Sequence, residues 1–493
     1  MSDAPKPRTL GELRRDGYRP KPVREEVHAN LVRKLEAGEP LFPRIVGYEE
    51  TVVPELTHAL LAGQNVIVLG ERGQAKSRLI RAMIDLLDPE VPVVAGAELN
   101  DSPFAPVSPA ARRRLAEEGD ALAIAWLPRE ARYGEKLATP DVSMADLIGD
   151  VDPIKVAEGR YLADELTIHY GLVPRTNRGI FCVNELPDLP ERIQVGLFNL
   201  MEERDVQIKG YRIRLPLDVL IFATANPEDY TNRGRIITPL KDRFGAQVRT
   251  HYPLQAAHEL AIVEQERARL GDAEERVVVP DYMAEVVAEL SALARKSPDI
   301  NQRSGVSVRV SIANAETLRS AALRRALRLG EKVAAPRITD LPALAASMRG
   351  KIELESVEEG REESVIDELT KRAVAAVFAR RFPGADLQSV VGAFDEGLTV
   401  TAGPAVPSAD YVRLRDDVRG LRAAVDRLGG AGSPAETAAA VEFLLEGLHL
   451  SRRLNRDRSG GRVVYRRATR EADEPGPGSR RERRARGDRE RLE

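Results

Sequence analysis

The sequence contains one cysteine, Cys182, and one tryptophan among 493 residues, and aromatic residues make up only 4% of it. A single cysteine excludes an intrachain disulfide and points to a reducing compartment. With so few aromatics, the cores must rest on Leu, Val, Ile and Ala, a composition that leans helical. No uninterrupted apolar run approaches the roughly 20 residues of a membrane-spanning helix. The first twenty residues are polar and lack the apolar centre of a signal peptide, so the cytoplasm is the expected location. The net charge of −3 gives no overall attraction to nucleic acid or to membrane surfaces. The six histidines, His28, His58, His169, His251, His258 and His449, show no metal-ligand spacing. His251 and His258 are close, but Pro253 interrupts any helix that they would share.

Hydrophobic residues (43%) and charged residues (31%) describe a well-folded, charge-rich protein, and the length predicts two or three domains. Residues 1–40, rich in Pro, Lys and Arg, read as an arm leading into a short helix. Between 41 and 252, short apolar runs (65–70, 179–183, 219–226) alternate with helical stretches. That alternation predicts an α/β fold, a mostly parallel sheet with helices on both faces. Residues 253–350 read as a helical second domain and 351–465 as a further, mostly helical region. Within the latter, helices are expected near 364–379, 410–428 and 435–455, with irregular structure over 382–410. The Arg-rich tail 466–493 has no apolar face and is expected to be disordered.

The strongest local signal is Gly70-Glu71-Arg72-Gly73-Gln74-Ala75-Lys76-Ser77, directly after an apolar run and directly before an amphipathic helix. In a phosphate-binding loop, successive backbone N–H groups and the helix N-terminus wrap the phosphates of ATP. Lys76 would reach the outer phosphates, and the Ser77 hydroxyl would bind Mg²⁺. Ala75 stands where a glycine usually precedes the lysine; alanine adds one methyl and can adopt helical dihedrals, which lets the loop survive.

Hydrolysis also needs a metal-holding group and a residue that directs water. The run 179–183 ends in Asn184-Glu185, where Asp-Glu is usual. Glu185 is the candidate to polarise the water, and it joins Ser77 and Asn184 as a candidate around Mg²⁺. Asn184 keeps an acceptor oxygen but lacks the charge. Since Mg²⁺ relies largely on phosphates and retained waters, its binding would be weakened rather than lost. The run 219–226 ends at Asn226, placed to orient water beside the terminal phosphate.

In this order the motifs resemble the AAA+ ATPases of the MoxR and magnesium-chelatase ATPase-subunit group, over about residues 41–345. Ile45-Val46-Gly47-Tyr48-Glu49 resembles the segment beside the adenine, which makes Val46 and Gly47 nucleotide-site candidates. The Ala75-Lys76-Ser77 ending is similar to that group's own loop. The stretch from 146–150 through 171–173 is similar to its helix-2 insertion, and 202–216 resembles the hairpin before the sensor strand. The resemblance makes Asn226 the first sensor and Arg243 the arginine finger that reaches the neighbouring subunit's nucleotide. It makes Arg309 the second sensor in a helical lid, with Arg303, Arg233 and Arg235 as rivals. It implies an ATP hydrolase working with Mg²⁺ as a homo-oligomer, a hexameric ring. It further implies chaperone-like action with a von Willebrand factor A domain partner, in remodelling, maturation or metal insertion.

Three other readings stand beside this one. The chain could be the ATPase subunit of a true magnesium chelatase. It could be a nucleotide-gated scaffold with little hydrolysis, for which Asn184 is the motive. It could be a DNA-directed motor, against which stand the acidic balance and the lack of a helix-turn-helix or an aromatic-bearing basic patch.

Overall fold

The three apolar runs form the middle of a five-stranded parallel sheet. Its strands are β1 (Val66–Leu69), β2 (Tyr133–Leu137), β3 (Gly179–Asn184), β4 (Val219–Ala225) and β5 (Ala246–Arg249), in the spatial order β5-β1-β4-β3-β2. The computed structural model describes residues 6–151, 168–202, 205–208, 211–227, 235–302, 305–355, 361–384, 387–459 and 462–468. Contacts divide the chain into two units, with Leu254 ending the first and Gln255 beginning the second.

The central strands are apolar along their whole length because both faces of the sheet are covered. Successive side chains point to opposite faces. Val66, Val68, Ile180, Cys182, Leu220 and Phe222 therefore pack with helices α1 (Val23–Glu36), α2 (Val52–Leu61) and α3 (Lys76–Ala82). Ile67, Leu69, Phe181, Val183, Ile221 and Ala223 pack on the other side with α4 (Glu191–Glu202) and with Leu240 of α5 (Thr238–Asp242). The helix expected after the phosphate loop is shorter than its apolar stripe. It tightens into a 3₁₀ turn at Met83–Leu86, yet Ile80, Met83 and Leu87 remain buried.

Residues 6–40 are more than an arm leading into a short helix: they form a helix at Leu10–Arg15 and the 14-residue α1. Val23, Val27 and Leu31 of α1 lie one turn apart and are buried in the sheet's core. Glu26 of the same helix makes a two-pronged ion pair with Arg132 (2.6 and 2.7 Å), and both side chains are almost inaccessible. The charges of α1 hide its apolar stripe when the sequence is read alone. The expected insertion begins and ends in an antiparallel pair, Gly149–Val151 with Ile168–Tyr170, and the segment between lies outside the described residues. The expected hairpin is the antiparallel pair Asp205–Ile208 and Tyr211–Arg214.

The second unit is mainly helical: α6 (Ala256–Glu266), α7 (Asp281–Ala294), α8 (Val308–Leu329), α9 (Arg361–Arg381), α10 (Ser408–Asp417) and α11 (Pro434–Leu450), with shorter helices between. One hydrophobic core runs from Tyr282 to Tyr465, so residues 253–350 and 351–465 share it. Helix α11 is buried on nearly all sides, as expected of a helix apolar all round. It approaches α9 so closely that a Cβ on Gly447 would lie 2.0 Å from the Phe378 ring.

Four expectations fail in this unit, the first being the single helix near 410–428, which is two, Ser408–Asp417 and Leu421–Arg427. The stretch 382–410 contains a helix, Gln388–Asp395, and a strand, Val400–Ala402. The helix expected over 435–455 ends at Leu450, and Leu454–Ser459 is a strand. The tail expected from Arg466 begins inside the strand Arg462–Arg467, which pairs with both others in a small antiparallel sheet. RVVYRR holds a short apolar run, VVY, but its flanking arginines mask it. Residues 469–493 lie outside the described residues.

The same unit encloses a cluster of charges. Arg325 donates to Asp340 (3.0 Å) and to the Ala335 carbonyl (2.6 Å). Arg337 donates to the Val406 carbonyl (2.8 Å) and to the Ser408 hydroxyl, and its guanidinium lies over the Tyr411 ring. The Tyr411 hydroxyl donates to Glu442 (2.6 Å), whose other oxygen accepts from the Thr339 N–H (3.1 Å). Burial pushes the Glu442 carboxyl up, against the pull of Arg337 and Tyr411. Among the described residues, no helix is long and apolar enough to cross a membrane.

Candidate nucleotide-binding site

The carboxyl ends of β1, β3 and β4 bring Gly70, Asn184 and Asn226 together, the edge of an open parallel sheet where ligands bind. Gly70 is required by close approach, since a Cβ there would lie 1.7 Å from the Thr250 hydroxyl. That hydroxyl donates to Oε1 of Gln74 (2.8 Å), which also accepts from the Glu71 N–H (3.0 Å). Tyr48 lies within hydrogen-bond reach of the Gln74 and His251 carbonyls (2.8 and 2.9 Å). Burial pushes its hydroxyl up to about 12, so it remains a donor. Tyr48 thereby ties the segment holding Val46 and Gly47 to the loop. The Tyr252 hydroxyl donates to the Arg72 carbonyl (3.0 Å).

The loop turns at two residues with positive φ, Gly73 (76°) and Ala75 (54°). Ala75 has left-handed helical dihedrals, φ 54° and ψ 20°. A side chain in this region costs about 1–2 kcal/mol, because Cβ crowds the following carbonyl.

Lys76 is buried and donates to the Gly70 and Glu71 carbonyls and to Oδ1 of Asn226 (2.6 Å). The Asn226 amide nitrogen donates to Oε2 of Glu185 (2.7 Å). Lys76, Asn226 and Glu185 are thus one hydrogen-bonded chain. Glu185 is also left-handed (φ 56°), and its N–H donates to the Thr224 hydroxyl (3.0 Å).

Asn184 accepts on Oδ1 from Ser77 (2.9 Å), from Thr224 (3.2 Å) and from the Cys182 thiol (3.6 Å). Its amide nitrogen donates to Glu135 of β2. Glu135 takes two further bonds from Arg81 (both 2.8 Å) and one from Tyr133 (3.0 Å). Burial pushes the Glu135 carboxyl up, but these donors outweigh it and hold it below the usual range. The sequence reading missed Glu135, Arg81, Thr224 and Thr250. The signal for Glu135 was faint, a lone acid in the short strand YGEKL.

Arg243 sits at the C-cap of α5, paired with Glu202 (2.8 Å) and lying over the Phe198 ring. Arg309 is exposed in the first turn of α8 and belongs to the second unit. Arg235 is exposed, while Arg233 and Arg303 lie outside the described residues.

Chemically, the site offers a cradle of backbone N–H groups, a buried ammonium, a hydroxyl beside an amide oxygen, and a carboxylate. Ser77 and Asn184 present hard oxygen donors of the type Mg²⁺ accepts, beside the loop where phosphate oxygens would complete its shell. These residues fit a magnesium-bound triphosphate held mostly by its own phosphates. Sheet, loop and strand-end residues together give the chain an α/β core with a phosphate-loop-like turn at the carboxyl end of β1.

No family model matches the chain. It is 30% identical over 232 residues to the magnesium-chelatase subunit ChlI of a Nostoc species, covering 45% of this chain and 58% of that protein. It is 28% identical over 298 residues to the subunit of that name from Chlorella vulgaris, covering 56% of this chain and 77% of that one. A structure of the complex between subunits BchI and BchD of magnesium chelatase matches 66% of this chain and 98% of its own, at 21% identity and a TM-score of 0.34. The chain spans 58% of the Nostoc protein's length and 61% of the rice subunit's. Over about half of its length the chain is thus similar in sequence to magnesium-chelatase ChlI subunits.

Proposed function

We propose that this protein is a Mg²⁺-dependent AAA+ ATPase that acts as a homo-oligomeric ring and couples hydrolysis to the remodelling, maturation or metal loading of a partner protein. The observation that carries the reading is the chain Lys76–Asn226–Glu185 beside the Ser77–Asn184 pair, all at the carboxyl ends of the strands. The N–H groups of the loop bind the phosphates, and Lys76 leaves the Gly70 and Glu71 carbonyls to meet their outer oxygens. Asn226 then loses its lysine partner and is free to orient water, with Glu185 accepting the water's proton. Mg²⁺, when bound, neutralises phosphate charge, and Ser77 and Asn184 are the residues to hold it.

Arg243 would act on a neighbouring subunit's nucleotide after giving up Glu202, and Arg309 would act from the second unit. A partner with a von Willebrand factor A domain is part of the proposal and rests on the family resemblance. The test is steady-state ATP hydrolysis across a range of protein concentrations, with Lys76→Ala, Glu185→Gln and Arg243→Ala as controls. Turnover that rises cooperatively with concentration and is lost in all three supports the reading. Absence of both nucleotide binding and turnover would refute it.

A second reading is favoured by Asn184 itself: a scaffold that binds ATP and responds to it with little hydrolysis. Tight binding without turnover, unchanged by candidate partners, would select it.

A further inference from the structure

The residue that departs from the expected acid, Asn184, has a carboxylate as its immediate neighbour. Parallel pairing of β2 with β3 sets Glu135 opposite Cys182 and Leu137 opposite Asn184. Glu135, Cys182 and Asn184 therefore share one face of the sheet, the face covered by α3. From α3, Ser77 and Arg81 come down at i and i+4, one helical turn apart. Ser77 donates to Oδ1 of Asn184, Asn184 donates to Oε1 of Glu135, and Arg81 closes the circuit with two bonds to the same carboxylate.

The circuit fixes the amide's orientation. An amide has one acceptor end and one donor end. Glu135 accepts only, so it takes the NH₂ end and leaves the oxygen facing Ser77. An aspartate in place of Asn184 would set a carboxylate oxygen against Oε1 of Glu135 at hydrogen-bond contact, two like charges with no proton between them.

We propose that Glu135 is the positioning residue that supplies, from the neighbouring strand, the carboxylate missing at position 184, and that it orients Asn184 toward the metal-phosphate group. The inference rests on the nucleotide-site reading above. It explains why asparagine is tolerated: the negative charge has moved one strand over, and the amide couples it to the site. Outer partners of this kind commonly change metal affinity by about 10–100-fold when removed.

The experiment is a swap. The full chain and the variants Glu135→Gln, Asn184→Asp and the double variant are titrated with Mg²⁺. The readouts are binding of a fluorescent, non-hydrolysable ATP analogue and the melting temperature without metal. Glu135→Gln should raise the Mg²⁺ concentration at half-saturation by about tenfold. Asn184→Asp alone should lower the metal-free melting temperature, because it places two carboxylates in contact. The double variant again holds one acid and one amide, and it should return both quantities close to the starting protein. If Glu135→Gln alone does not yield folded protein, the double variant against Asn184→Asp decides, with recovery supporting the inference and its absence overturning it. A Glu135→Gln protein within twofold of the starting protein, or a double variant showing only the sum of the single effects, also overturns it. A starting protein that binds no nucleotide with Mg²⁺ overturns the nucleotide-site reading and this inference together.

Discussion

Both units gather buried charged and polar side chains, but they arrange them differently. At the phosphate loop, Ala75 and Glu185 hold left-handed backbone, and Lys76 spends its charge on loop carbonyls and one amide. In the second unit, Arg325, Arg337, Asp340, Tyr411 and Glu442 meet one another inside the core, and none of them has positive φ. Strain and exchangeable hydrogen bonds collect where a ligand can replace them. Closed charge pairs collect where nothing is to be exchanged. The first arrangement is suited to a reaction, the second to holding helices in register.

That contrast can be broken from either side, and the largest effect is expected at the first unit. Arg243→Ala should lower ATP turnover by about three orders of magnitude, as loss of an arginine finger does, while nucleotide affinity changes little. Stopped-assay hydrolysis and a binding titration check the two halves of that statement. The reverse pattern is expected in the second unit. Glu442→Ala leaves Arg337 and Tyr411 without their carboxylate and should cost about 3–5 kcal/mol in urea unfolding, with nucleotide affinity in the folded protein unchanged. Gly447→Ala forces a methyl into the Phe378 ring and should cost about 1–3 kcal/mol by the same measurement. Smallest is Ala75→Gly, which relaxes the left-handed turn. It should stabilise the first unit by about 1 kcal/mol or less, the gain being reduced by the greater freedom of glycine in the unfolded chain. An Ala75→Gly protein that is less stable would show that the turn is not strained.

How much could be read before the structure follows the same division. The phosphate loop, Asn184-Glu185 and Asn226 were legible because each lies at the end of an apolar run that only a buried strand explains. The handedness of Ala75 was not, since its residue type favours right-handed dihedrals and the loop overrides that preference. Glu135 escaped because β2 reads YGEKL, too short and too polar to announce a strand, and its meaning arises only from lying beside β3. In the second unit, the long apolar α11 was expected, whereas the strand RVVYRR was hidden by its arginines. Tyr465, buried and bonded to Glu446 (2.7 Å), and Val463, packed against the same core, show which side faces inward. Helix α1 was hidden in the same way, by the charges around Val23, Val27 and Leu31.

The central claim is that the first unit is a nucleotide-hydrolysing site completed by a neighbouring copy. Mixing two inactive proteins, Glu185→Gln and Arg243→Ala, and measuring ATP turnover tests it most directly. In a mixed ring some sites would combine an intact Glu185 with an intact Arg243 from the adjacent subunit. The account predicts that the mixture regains a substantial part of the starting activity that neither variant has alone. Turnover that stays absent in mixtures shown to co-assemble, or an Arg243→Ala protein that is fully active by itself, would contradict it.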